Sequence, residues 1–99
     1  MQNKNLVAIN DFCINHNIEV EFVSSLNRTG LIEVTTIKEA QFIDASQLNR
    51  LEKFVRFYYE LDINIEGIEA ISHLLSRISL MQDEISTFRN RLRFYEANV

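Results

Sequence analysis

Few residues in this chain have the type and spacing to carry chemistry. Cys13 and His16 stand three apart, so on one helix both could touch a metal ion. A structural zinc site needs four ligands, and no second pair accompanies these two. The plainer reading is a small buried thiol next to a histidine in a helix-cap region. His73 falls between Ile71 and Leu74 in a helical stretch, a flanking position rather than that of a ligand or base. No Ser/His/Asp arrangement, Gly-rich phosphate loop or paired-carboxylate motif is present. The chain is therefore read as a non-enzyme with no catalytic residue, no cofactor and no metal site. What remains to do recognition is acidic and aromatic.

Glu60, Asp62, Glu66 and Glu69 gather where two helical stretches meet. They are either a solvated turn with the acids that a helix N-terminus favours or a contact patch for a basic partner. Glu19, Glu21, Glu33 and Glu39 form a second candidate patch, and charge alone does not rank the two. Phe54, Phe57, Tyr58 and Tyr59 make an aromatic cluster just before the first patch. Phe54 and Tyr58 fit a buried stripe. Phe57 and Tyr59 do not both fit it, so they are the better interface residues, where Phe and Tyr are enriched. The expected partner-binding set is Glu60, Asp62, Glu66, Phe57 and Tyr59.

The elements that must position these residues follow from length and pattern. A chain of 99 residues has room for one domain. Its 46% hydrophobic and 24% charged content is that of a folded protein. Net charge is -4 and the pI about 5.1, so the chain as a whole lacks the basic footprint that DNA binding needs. An acidic chain suits a basic protein partner better. Cys13 is the only cysteine, so no intrachain disulfide forms, which fits a reducing cytoplasm. Met1 to Asn5 lead into no long apolar run, so no signal peptide is expected. No stretch approaches the roughly 20 apolar residues of a membrane span. The expectation is a soluble, cytoplasmic protein with no membrane partner. There is no proline, only Gly30 and Gly67 interrupt the chain, and no linker marks a boundary.

Along the chain, Val7-Ala8-Ile9 reads as a short lead-in. Asn10 then caps a first helix to His16, with Ile9, Phe12 and Cys13 on its apolar face. His16-Asn17 is a break, where Asn tolerates left-handed backbone. A second helix runs from Glu19 to about Arg28 and ends at Thr29-Gly30. Leu31 to Ile37 is β-branched and reads as a strand, Lys38-Glu39-Ala40 as its turn, and Gln41-Phe42-Ile43 as the return. The turn has neither Gly nor Asn, so no tight two-residue type is assigned. Asp44 or Ser46 caps a third helix reaching Leu61, with Leu48, Leu51, Phe54-Val55, Tyr58 and Leu61 buried. Asn64 caps the last helix.

That last helix carries the strongest pattern. Ile71, Leu74, Ile78, Met81, Ile85, Phe88, Leu92 and Tyr95 alternate steps of three and four, an a/d seam over more than three heptads. From Ile65 to Glu96 it would be roughly 48 Å long, more than so small a body can cover, so these residues are expected to join two copies in a homodimer. Glu84 and Arg89 would pair in a parallel dimer, while Arg77, Glu84 and Arg91 could pair in an antiparallel one; the direction stays open.

The order of parts resembles MerR-type regulators. Ile9-Asn10-Asp11-Phe12-Cys13, Asn17-Ile18-Glu19, Thr29-Gly30-Leu31-Ile32-Glu33, Phe42-Ile43-Asp44, Leu48-Asn49-Arg50-Leu51 and Leu61 to Ile68 carry the likeness. The departures lie in the DNA grip. Where the family's second helix typically has Arg-Tyr-Tyr, this chain has Ser24-Ser25-Leu26. Where the family's wing is basic, it reads Thr35 to Phe42 with one Lys and one Glu.

The chain is also similar to a narrower group, the CbpM-type chaperone modulators. Phe12-Cys13, Gly30-Leu31-Ile32-Glu33, Tyr59-Glu60-Leu61, Gly67-Ile68 and Gln82 to Leu92 carry that likeness. It implies a non-enzymatic protein that binds the J-domain of a DnaJ/CbpA-like co-chaperone and inhibits its work with the DnaK-type chaperone. The alternative is a MerR-type DNA-binding transcriptional regulator gripping phosphates through Arg28, Lys38, Arg50, Lys53 and Arg56. The expected fold is mainly α with a small two-stranded wing: a MerR-like winged helix-turn-helix body over residues 1–64 and a long coiled-coil dimerisation helix over 65–99.

Overall fold

A computed structural model describes residues 5–97. Met1-Gln2-Asn3-Lys4, on which the expectation about a signal peptide partly rests, lie outside the described residues. The chain divides into two compact units, the first ending at Glu69 and the second beginning at Ala70.

The first unit is a small helical body around a three-stranded antiparallel sheet. Strand β1 (Leu6–Ala8) leads without a loop into helix α1 (Ile9–His16). Helix α2 (Val20–Arg28) follows, then strands β2 (Val34–Ile37) and β3 (Ala40–Asp44). The strand order is β1-β3-β2, with Val7 opposite Ile43 on one side of β3 and Val34 opposite Ile43 on the other. The expected two-stranded wing is thus three-stranded, and the expected lead-in is its third strand. The physical reason is the bare edge of β3, whose backbone groups need partners. Leu6, Val7 and Ala8 supply them at half-buried positions, and Ala45 N–H donates to the Asn5 carbonyl at 2.8 Å just past the ladder.

Because β1 runs directly into α1, the residue before the helix is Ala8, in extended geometry and without a side-chain cap. Asn10 therefore lies inside the helix and is not its cap. Asn17 ends α1 in the left-handed region at φ 56° and ψ 48°, while Ile18 N–H returns to the Cys13 carbonyl at 3.0 Å. Gly30 plays the matching part after α2 at φ 82°, and Leu31 N–H returns to Leu26 at 3.0 Å.

Leu31 to Glu33 are not strand, although their residue types suggest it. Side chains from elsewhere hold the backbone at Glu33 and Val34. Gln47 accepts from Glu33 N–H at 2.8 Å and donates to its carbonyl at 3.1 Å, and Asn27 accepts from Val34 N–H at 3.2 Å. The hairpin tip is also tighter than expected. Ile37 faces Ala40, and the two residues between, Lys38 and Glu39, have φ of 52° and 68°. Positive φ at both positions is what a type I′ turn demands, here without Asn or Gly.

Asp44 begins the third helical run, accepting from Ser46 N–H at 3.0 Å. A 3-10 turn (Ala45–Gln47) leads into helix α3 (Leu48–Val55), which passes into a π-turn (Arg56–Glu60). Helix α4 spans Ile65–Ala97, 33 residues, about 50 Å long at 1.5 Å per residue. Its first turn belongs to the body and the rest to the second unit.

The body's core draws on all four helices and on β3: Ile9, Phe12 and Cys13 from α1, Phe22, Val23 and Leu26 from α2, Ile43 from β3, Leu51 and Phe54 from α3, and Ile68 from α4, with Ile32 from the segment before β2. Each such side chain contributes about 1.5–3 kcal/mol when fully removed from water. From His73 to Ala97, by contrast, every residue is exposed.

Candidate protein-binding surface

The acidic junction is built by the π-turn. Leu61 N–H bonds to the Arg56 carbonyl at 3.1 Å, five residues back, and Ile63 N–H to Phe57 at 2.9 Å. The wide turn inserts an extra residue and shifts the phase of the apolar stripe. Phe57, expected off the stripe, consequently packs against the core. Tyr58, expected on it, is 37% exposed, and Leu61, also expected buried, is 62% exposed. Phe54 and Leu51 keep their expected buried places.

Tyr58 and Tyr59 stand edge to face, their ring centres 5.0 Å apart. The buried ring of Phe22 on α2 backs both, at 4.5 Å from Tyr58 and 5.4 Å from Tyr59. Tyr59 Oη also accepts the backbone N–H of Glu19 at 3.2 Å, a free amide ahead of α2. The rings are therefore held by side-chain stacking and a hydrogen bond to another element.

Asp62 ends the turn at φ 57°, a left-handed position that Gly or Asn occupies more cheaply. Asn64 then caps α4. Its side chain accepts from Gly67 N–H at 2.8 Å, and its carbonyl from Ile68 N–H at 2.9 Å. Gly67 has no room for a side chain, because a Cβ there would lie 2.7 Å from Ile63 Cγ2. Tyr58, Tyr59, Asp62, Ile63 and Asn64 line a shallow cleft. Of the expected partner-binding residues, Tyr59 and Asp62 meet there. Glu60 and Glu66 are exposed nearby in sequence, and Phe57 turns inward. Tyr58 was not among the expected site residues, because nothing in the residue types signals the π-turn.

The residues of the second acidic patch lie on separate elements. Glu19 precedes α2, Glu33 sits in the Gln47-held segment and Glu39 is at the hairpin tip. Glu21 pairs with Arg28 at 3.3 Å, and Arg28 also donates to Ser25 Oγ at 3.0 Å. The cation on α2 is thus partnered by a carboxylate of its own helix. Both groups are solvent-exposed, so the pair is worth about 0–1 kcal/mol, but it offsets the charge that Arg28 could offer an outside phosphate.

Cys13 is 3% exposed, and burial pushes its thiol up. His16 lies over the Phe12 ring at 3.9 Å, donates from Nδ1 to the Phe12 carbonyl at 3.1 Å, and brings Nε2 to 3.7 Å from Glu52. Each thus has a structural place. Among the described residues no group of three or more His, Cys, Asp and Glu gathers as metal ligands.

On α4 the seam lies open. Leu74 is 57% exposed, Ile85 53%, and Phe88 62%. Ile78, Met81, Leu92 and Tyr95 are exposed as well. No helix among the described residues is long and apolar enough to cross a membrane.

Residues 7–90 match the family model described as MerR HTH family regulatory protein. No curated protein and no solved structure matches the chain.

Proposed function

The chain belongs to the MerR helix-turn-helix regulatory family, and on that premise we propose that it is a chaperone modulator of the CbpM type. In this reading it binds the J-domain of a DnaJ/CbpA-like co-chaperone and so inhibits the co-chaperone's work with the DnaK-type chaperone. It acts as a cytoplasmic homodimer joined along Ile71, Leu74, Ile78, Met81, Ile85, Phe88, Leu92 and Tyr95.

The observation that carries the reading is the state of α2, the helix that would read DNA. Its one cation, Arg28, is paired with Glu21 on the same helix. A net charge of -4 adds a general repulsion from phosphate. The acidic junction offers a basic protein helix both charge complementarity and exposed aromatic surface. Inhibition is then competition for one face of the J-domain and requires no catalytic step.

Calorimetric titration with the isolated J-domain of the same organism's co-chaperone, at physiological salt, tests this. Binding at micromolar affinity or tighter, weakened by Glu60→Lys or Glu66→Lys, is the expected result. Absence of heat, together with unchanged elution at tens of micromolar, contradicts it.

Family membership favours a second reading, DNA binding through Arg28, Lys38, Arg50, Lys53 and Arg56, all exposed. Affinity for duplex DNA that falls steeply with salt would select that reading, and no retention at low salt would remove it.

A further inference from the structure

We infer that the cleft beside the π-turn is a receptor for one arginine side chain of a partner protein. The inference rests on the reading of this junction as a protein-binding surface and gives that surface its chemistry.

Two aromatic walls and one carboxylate define the cleft. Tyr58 and Tyr59 are 37% and 41% exposed. Phe22 and the Glu19 amide fix the rings before any ligand arrives. A ligand that stacks there has little ordering of the receptor left to bring about. A guanidinium fits such a wall, since it is planar, weakly hydrated and attracted to the face of an aromatic ring.

Asp62 supplies the charge. Among the described residues its carboxylate makes no hydrogen bond and no ion pair. The neighbouring amide of Asn64 is different, because its Oδ1 is already engaged by Gly67 N–H. The carboxylate is therefore the one anionic group among the residues lining the cleft, able to receive two parallel N–H donors from a guanidinium. Lysine would bring one strongly hydrated point charge and gain less from the rings. A neutral apolar side chain would leave Asp62 facing it unpaired.

The test uses the full chain labelled for aromatic and amide NMR, titrated with N-acetyl-arginine amide. N-acetyl-citrulline amide, of the same shape without the charge, is the control. The expected result is saturable shifts confined to the Tyr58 and Tyr59 rings and the Asp62 to Asn64 amides, about tenfold weaker with citrulline. Asp62→Asn, which removes the ion pair and leaves the attraction of the cation to the rings, should weaken arginine binding by up to about fivefold, with the rest of the spectrum unchanged. Scattered shifts, or equal shifts with citrulline, overturn the assignment. A parallel titration with the J-domain separates this inference from the function above. J-domain binding that leaves both tyrosine rings unperturbed overturns the arginine receptor alone. Arginine held in the cleft while the J-domain fails to bind keeps the receptor and removes the chaperone partner.

Discussion

The body and the long helix treat apolar side chains in opposite ways. In the body, Ile9, Leu26, Ile43, Leu51 and Ile68 are at most 2% exposed. Along α4 from Leu74 onward, side chains of the same kinds are 42–69% exposed. Composition does not separate the two regions; periodicity and topology do. The body has a sheet and several helical segments to bring its faces together. The second unit is one helix with a seam of a and d residues, and a lone helix has nothing within itself to bury that seam against. The body thus buries its apolar side chains by its own contacts, whereas the seam of α4 is exposed; in the function proposed above a second copy covers it.

The largest expected effect breaks that contrast at the helix. Ile78→Asp with Ile85→Asp would place four carboxylates in the seam of the proposed dimer, where each isoleucine would contribute about 1.5–3 kcal/mol on burial. Sedimentation velocity should show a monomer. Far-UV circular dichroism should lose most of α4's helix, while amide dispersion from the sheet persists. A variant that stays dimeric would mean that the seam does not join the copies.

The next effect lies in the body alone. Leu51 is 0% exposed, and Leu51→Ala should cost about 2–5 kcal/mol. The denaturant midpoint read by the tyrosines should fall accordingly. Gly67→Ala acts at the junction. The new methyl meets Ile63 Cγ2 at 2.7 Å, an overpacking that costs about 1–3 kcal/mol. Asp62 and the tyrosines should shift with it in the amide and aromatic spectra. The smallest effect has the opposite sign. Lys38→Asn with Glu39→Gly gives the hairpin tip the residues that positive φ favours, and should raise stability by about 1 kcal/mol without touching association.

These residues also mark what the sequence made legible. Gly30 and Asn64 announced helix ends because their chemistry is local: a missing Cβ in one, a short side-chain acceptor in the other. The long helix α4 was legible because a repeat of three and four needs no knowledge of the rest of the fold. Strand β1 was not, since Leu6-Val7-Ala8 pair only because β3 offers an edge far along the chain. Leu31 to Glu33 misread as strand for the same reason in reverse, as the Gln47 side chain takes both backbone bonds of Glu33. At the candidate site, Tyr59 and Asp62 stood out by type and position, but Tyr58 and Phe57 exchanged faces across the π-turn. A π-turn is a tertiary compromise with no residue signature, so a stripe projected at 3.6 residues per turn fails there.

Sedimentation velocity of the full chain, alone and with the J-domain of its own organism's CbpA-like co-chaperone, probes both regions at once. The account predicts a dimer that gains the mass of two J-domains at tens of micromolar, one on each body. A dimer whose mass does not change when the J-domain is added would contradict it.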